Sequence, residues 1–254
     1  MSAAGNGTGG EPVFIPLGRP PEEPGHFGGP DAPISYPPQI RARLDADADE
    51  IIARYPQPRS AILALLHLVQ AEDSCVTPAG LSFCAERLGL TRVEVAGVAS
   101  FYSMYRRTPT GKYLVGVCTN TLCAVMGGDA IFDALRRHLR IDNDQTTPDD
   151  SITLQHVECN AACDYAPVVM VNWEFFDNQT PDSARLLADG LRFGPPPRPT
   201  RGGQLCPYRQ TERILAGFPQ DRQVDTAGAP TVAGLSAFHA GGPTSAPGGD
   251  SRCC

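Results

Sequence analysis

Lysine is nearly absent from this chain: all of its 21 basic residues except Lys112 are arginine. Asp and Glu number 28, for a net charge of −7, and no basic stripe interrupts that balance, so no nucleic acid partner is expected. There is no P-loop, and no G-x-G-x-x-G follows a predicted strand, which argues against nucleotide binding by this chain itself. C-x-x-C is also missing, so thioredoxin-type disulfide exchange lacks its reactive pair. The longest apolar run, AILALLHLV, falls well short of the ~20 residues that cross a bilayer, so no direct membrane span is predicted. MSAAGNGTGG has neither the charged nor the apolar region of a secretory signal. A soluble, intracellular chain is expected, with any membrane association made through partners.

Proline and glycine are plentiful but unevenly placed. Residues 1–39 hold 17 of them and residues 194–254 hold 19. Neither segment shows sustained apolar periodicity, so both are predicted to be extended or disordered tails. The compact part is residues 40–193, enough for a helical unit and a small α/β unit.

Within it, Ile40, Leu44, Ala48, Ile51, Ile52 and Tyr55 recur at helical spacing until Pro56. Arg59 to Ala71 reads as a helix that is apolar on most sides and therefore buried. Thr77-Pro78 starts a third helix, which Gly89 ends. Thr91 and Glu94 form a capping box for a fourth, with Val95, Val98, Ala99 and Tyr102 inward. Residues 40–107 are thus predicted to be a helical bundle. The period then changes. KYLVGV (112–117), SITLQHVE (151–158) and PVVMVNW (167–173) read as strands. Helices are predicted over 129–140 and after Thr180-Pro181, the latter turning Leu186, Leu187 and Leu191 inward, with a turn at Asp177-Asn178. The fold class is α+β: a bundle, then a small mixed sheet with flanking helices over 108–193.

Nine cysteines stand in this frame, and four form two pairs. Cys118 and Cys123 are C-x4-C at the end of the first strand; Cys159 and Cys163 are C-x3-C at the end of the second. If those strands are neighbours ending at one sheet edge, four thiols can meet. A [2Fe-2S] cluster, a four-cysteine zinc site or two disulfides all use such a set, although zinc sites usually show tighter C-x2-C pairs. The small residues Thr119, Asn120, Thr121, Ala161 and Ala162 would let backbone N–H groups approach the sulfurs. Leu122, Met126, Ala166 and Pro167 would exclude water. Cys75 and Cys84 read as buried helix thiols, and Cys206, Cys253 and Cys254 as tail thiols. His67 is expected to hydrogen-bond within the bundle. His138 and His156 lack the two-His, two-Cys spacing of a Rieske-like site. Trp173, Phe175 and Phe176 read as core or edge aromatics, and FYSMYRR (101–107) as a docking edge.

RSAILALLHLVQAED, EVAGVASFYSMY, GKYLVGVCTNTLCAVMGG and TTPDDSITLQHVECNAACDYAPVVMVN together resemble the family of small iron–sulfur subunits of bacterial NADH-quinone oxidoreductase, respiratory complex I. The resemblance covers about residues 40–190. It implies a thioredoxin-like ferredoxin domain behind the bundle, with one [2Fe-2S] cluster on Cys118, Cys123, Cys159 and Cys163. It also implies a partner subunit that binds FMN and NADH, and a peripheral place on the cytoplasmic side of the inner (plasma) membrane. The implied role is one-electron exchange with that flavin. The same module serves NAD-linked hydrogenases and formate dehydrogenases, and a zinc-stabilised adaptor is the non-redox alternative. The family often reads C-L-G-A-C at the second pair; Asn160-Ala161 here replaces a glycine suited to positive φ. Asp150 likewise stands where glycine is common. Glu158 and Asp164, beside ligands, are expected to lower the reduction potential. Residues 195–220, with PPPRP and LCPYR, are expected to run along the flavoprotein as polyproline-type segments.

Overall fold

The computed structural model describes residues 27–218 and the isolated Ser236. Cys253, Cys254 and most of both predicted tails lie outside the described residues. The chain opens with four helices: α1 (Pro38–Ile52), α2 (Ile62–Asp73), α3 (Pro78–Leu88) and α4 (Arg92–Phe101). Proline stands in the first turn of α1 and α3, where its missing N–H is no loss. The Thr77 hydroxyl accepts the Gly80 N–H at 3.1 Å, and Gly89 closes α3 at φ +64°. Thr91 and Glu94 make the reciprocal box at the start of α4. Helix α2 begins later than predicted, because Pro58–Ala61 forms a 3₁₀ turn first. It buries seven consecutive residues, Ala64 to Gln70, as an all-round apolar helix should. Tyr102, predicted to face inward, is 44% exposed, because α4 ends at Phe101 and Tyr102 is already extended.

The second half builds a five-stranded sheet from β1 (Tyr113–Cys118), β2 (Gln145–Thr146), β3 (Ile152–Val157), β4 (Val169–Val171) and β5 (Glu174–Phe176). The spatial order is β2-β3-β1-β4-β5, with β1 and β3 parallel and the other pairs antiparallel. A parallel pair needs a crossover, and α5 (Thr121–Val125) and α6 (Gly128–Leu139) begin it. Central β1 is buried along its whole length. Its core joins Val115 and Val117 to Ile131 and Leu135 of α6 and to Leu187 and Leu191 of α7 (Pro181–Phe193). Leu186, predicted inward, is exposed.

Two strand assignments change. The predicted strand 167–173 is interrupted at Asn172 and Trp173, which have φ +46° and +70°. Positive φ at both central residues is the geometry that lets a two-residue turn follow strand twist. The chain therefore reverses there and β5 follows at once, while the predicted turn at Asp177-Asn178 is present as a bend after β5, with Asn178 at φ +49°. Strand β2 has only two residues, too few for a period to register.

The predicted C-terminal tail also differs. Tyr208–Leu215 forms a helix, α8, that packs on α2. Leu205, Cys206 and Tyr208 are buried in the chain's own interior, so LCPYR is not free to lie along a partner. Helix α8 carries Glu212, fully buried. Its carboxylate is hydrogen-bonded to His67 Nδ1 at 2.6 Å, Gln70 Nε2 at 2.8 Å and Trp173 Nε1 at 3.3 Å. One acceptor thus ties α2, the β4–β5 turn and α8 together. His67 does hydrogen-bond as expected, but to a residue 145 positions away. Removing a buried acceptor strands its donors, which costs about 1–3 kcal/mol for each. Glu212→Ala, which leaves two buried donors and one part-buried donor unsatisfied, should lower the unfolding free energy by about 3 kcal/mol or more in denaturant titration. A loss below about 1 kcal/mol would show that the network does not hold these elements together.

Candidate metal centre

The register of β1 on β3 sets Cys118 beside Val157. Cys118 is the last residue of β1, and Cys159 follows β3 by two residues, so both cysteine loops leave the same sheet edge. Cys123 sits in α5, and Cys163 opens a 3₁₀ turn, Cys163–Tyr165. The second pair has its sulfurs 3.8 Å apart. Val168 connects the loops: its carbonyl accepts the Cys118 N–H at 3.1 Å, and its backbone also hydrogen-bonds the Cys123 thiol. Across the mouth, Asn120 Nδ2 donates to Glu158 at 3.0 Å, joining the loop after β1 to the loop after β3.

The pairs differ in environment. Cys118 and Cys123 are each 2% exposed, whereas Cys159 and Cys163 reach solvent. Burial, together with the neighbouring Cys118 and Cys163 and against the Val168 hydrogen bond, pushes the Cys123 thiol up to about 11. Hydrogen bonding and charge repulsion from Cys159 raise the Cys163 thiol. Metal binds the thiolate form, so loading the site releases thiol protons. Ala166 and Pro167 are buried, as expected of residues that exclude water. Leu122 and Met126 are not: they are 41% and 53% exposed.

The donor set is four free thiols in two pairs at one edge, the number that a [2Fe-2S] cluster takes. A tetrahedral centre with metal–sulfur bonds of about 2.3 Å spaces its sulfurs about 3.8 Å apart, the separation found in the second pair. The seven described cysteines are free thiols, and none is in a disulfide. Two pairs at one edge suit two irons bridged by sulfide, two thiolates to each iron. Sulfur acceptors also find donors here. The Ala161 N–H points to Cys159 Sγ at 3.4 Å, and Asn160 Nδ2 is buried with no protein partner. Ala161 takes φ +54°, so the left-handed turn persists without the glycine.

The remaining candidates lie outside this arrangement. Cys75 and Cys84 are buried in the interior, and Cys75 belongs to the turn after α2 rather than to a helix. His138 Nε2 contacts Asp189 at 2.7 Å, and the His156 ring packs on Phe132. Asp164 is not a free negative charge, because Arg201 reaches it at 3.1 Å. Sequence reasoning missed that contact; only the placement of the C-terminal segment brings it about.

A sheet with this topology, carrying two cysteine pairs at one edge, defines a thioredoxin-like iron–sulfur protein. The family profile "Thioredoxin-like [2Fe-2S] ferredoxin" matches residues 48–192, and the chain belongs to that family. More particularly, it is 68% identical over 229 residues to the E subunit of NADH-quinone oxidoreductase from Mycobacterium tuberculosis (strain ATCC 25618 / H37Rv), covering 89% of this chain and 91% of that one. It is 40% identical over 149 residues to NADH-quinone oxidoreductase subunit 2 of Thermus thermophilus, covering 58% and 82%. Among solved structures, an NAD+-reducing [NiFe]-hydrogenase aligns with TM-score 0.47 and 22% identity over 52% of this chain and 22% of that chain. The likeness to the mycobacterial relative extends well past residues 40–190 into the two ends of the chain.

Two substitutions test the loop geometry. A Cβ on Gly128 would press on the carbonyl oxygens of Cys118 and Cys123. Gly128→Ala should therefore lower iron content at least twofold and destabilise by about 1–3 kcal/mol. Ala161→Gly should stabilise the chain by up to about 1 kcal/mol, since glycine adopts the left-handed conformation without a Cβ penalty. Iron analysis and thermal unfolding check both; a neutral Gly128→Ala would contradict the packing.

Proposed function

We propose that Cys118 and Cys123 bind one iron, and Cys159 and Cys163 the other, of a single [2Fe-2S] cluster. The chain thereby serves as the electron-transfer subunit of NADH-quinone oxidoreductase. Delivery of two separate thiol pairs to one sheet edge is the observation that carries this reading. The cluster supplies a one-electron store when bound. The protein's part is to hold and surround it. Val168 and Ala161 direct backbone hydrogen bonds to cysteine sulfur and so favour the more negative, reduced charge state. Glu158 acts the other way, moderated by Asn120. The first pair anchors the site in the interior, while the second stands at the surface, where a redox partner can approach.

That partner is the subunit that carries FMN and binds NADH, and the exposed second pair faces it. Among the described residues no helix is long and apolar enough to cross a membrane. This suits a peripheral subunit; its place on the cytoplasmic side is proposed from the resemblance to the E subunits of NADH-quinone oxidoreductase. The proposed division is a helical unit of residues 40–107 and a ferredoxin unit of residues 108–193; their separate apolar cores support it. The 68% identity to the mycobacterial subunit favours this assembly over an NAD-linked hydrogenase or formate dehydrogenase. Membership of the thioredoxin-like [2Fe-2S] ferredoxin family favours it over a zinc adaptor.

Purified full-length chain should contain about two irons and two sulfides. Serine at Cys118, Cys123, Cys159 or Cys163 should cut both at least severalfold, while Cys75→Ala should leave them unchanged. NADH should reduce the cluster only when the flavoprotein subunit is added. A colourless wild-type chain with one zinc, or reduction by NADH without that subunit, would contradict the proposal.

A further inference from the structure

The segment after α7 lies against the β5 edge of the sheet. The Thr200 N–H donates to the Phe175 carbonyl at 2.8 Å, and the Thr200 hydroxyl donates to the Asp177 carboxylate at 2.8 Å. Pro197 rests on Gly190 of α7, where a Cβ would meet the proline ring at 2.9 Å. This strap carries Arg201 to the second cysteine loop, 37 positions from Asp164.

Arg201 is held on several sides. Its Nε donates to Asp177 Oδ2 at 2.9 Å and its Nη2 to Asp177 Oδ1 at 3.0 Å, a two-pronged grip on a nearly buried carboxylate. The same Nη2 reaches Asp164 Oδ1 at 3.1 Å. The guanidinium also lies over the rings of Phe175 and Tyr165, 5.1 and 5.7 Å from their centroids. Asp164 and Tyr165 complete the short turn that Cys163 opens. Asp177 and Phe175 thus fix the guanidinium to the sheet, and the guanidinium fixes the cysteine turn.

We propose that Arg201 is a positioning residue of the iron–sulfur site: it locks the Cys163 turn to the sheet edge and sets the local charge by offsetting Asp164. This rests on the ligand set proposed above. Reduction adds one negative charge to the site, so an uncompensated carboxylate beside Cys163 disfavours it and a fixed cation favours it. A lysine would keep the charge without the planar fork or the ring stacking, which separates the two parts of the role.

The test is redox titration of the cluster in full-length chain, with iron and sulfide analysis on the same samples. At the wild-type midpoint, Arg201→Gln should lower the ratio of reduced to oxidised cluster three- to tenfold. That corresponds to about 30–60 mV, at 59 mV per tenfold for a one-electron couple. Asp164→Asn should move the ratio the opposite way. Arg201→Lys should stay within about twofold of wild type while losing iron faster to a chelator. Wild-type midpoints in Arg201→Gln and Asp164→Asn, with two irons retained in both, would overturn the proposal. If Arg201→Gln does not load, Asp164→Asn decides alone: a raised midpoint supports the proposal and an unchanged one overturns it. A wild-type chain without two irons would instead remove the ligand set, and this inference with it.

Discussion

The parallel pairing of β1 with β3 is the constraint on which the centre depends. The 35 residues between Cys123 and Cys159 could take the chain anywhere. A parallel neighbour requires that they cross over and return, so that both strands end at one edge. A one-residue slip in that register would reverse which residues of β3 face α6 and would carry the second cysteine loop along the edge. The apolar stripe Ile152–Leu154 under Ile131 and Leu135 opposes such a slip. The metal site therefore inherits its geometry from ordinary core packing.

Around that edge the chain balances a negatively charged group within a protein of net charge −7. No lysine or histidine from the cysteine loops neutralises it. Backbone N–H groups do part of the work, made possible by small side chains and by a left-handed turn at Ala161. The nearest carboxylates are engaged, Glu158 by Asn120 and Asp164 by Arg201. The site thus draws on three separate stretches of chain, the last lying beyond the final helix of the ferredoxin unit.

Much of this was legible in the sequence because its signals are local. Thr77, Gly89, Thr91 and Glu94 announce helix ends through bonds to residues three or four positions away. A strand followed at once by paired thiols announces a loop site, and the loss of a glycine at Ala161 correctly marked the strained position. What stayed hidden depends on distant partners. Glu212 in α8 looks like a solvated charge until His67, Gln70 and Trp173 are seen around it. Arg201 looks like a tail residue until the strap puts it beside Asp164. The turn at Asn172–Trp173 was masked by a tryptophan that reads as strand, although Asn172 was the available clue. Leu122 and Met126 were assigned to a shield on hydropathy alone, and the short α5 turns them outward.

The central claim is that four sulfurs from two loops enclose a pair of irons rather than a single ion. Iron K-edge absorption of the purified full-length chain tests it most directly. The account predicts four sulfur neighbours and one iron neighbour at each absorbing atom. A spectrum with no iron neighbour, or with oxygen and nitrogen in place of cysteine sulfur, would contradict it.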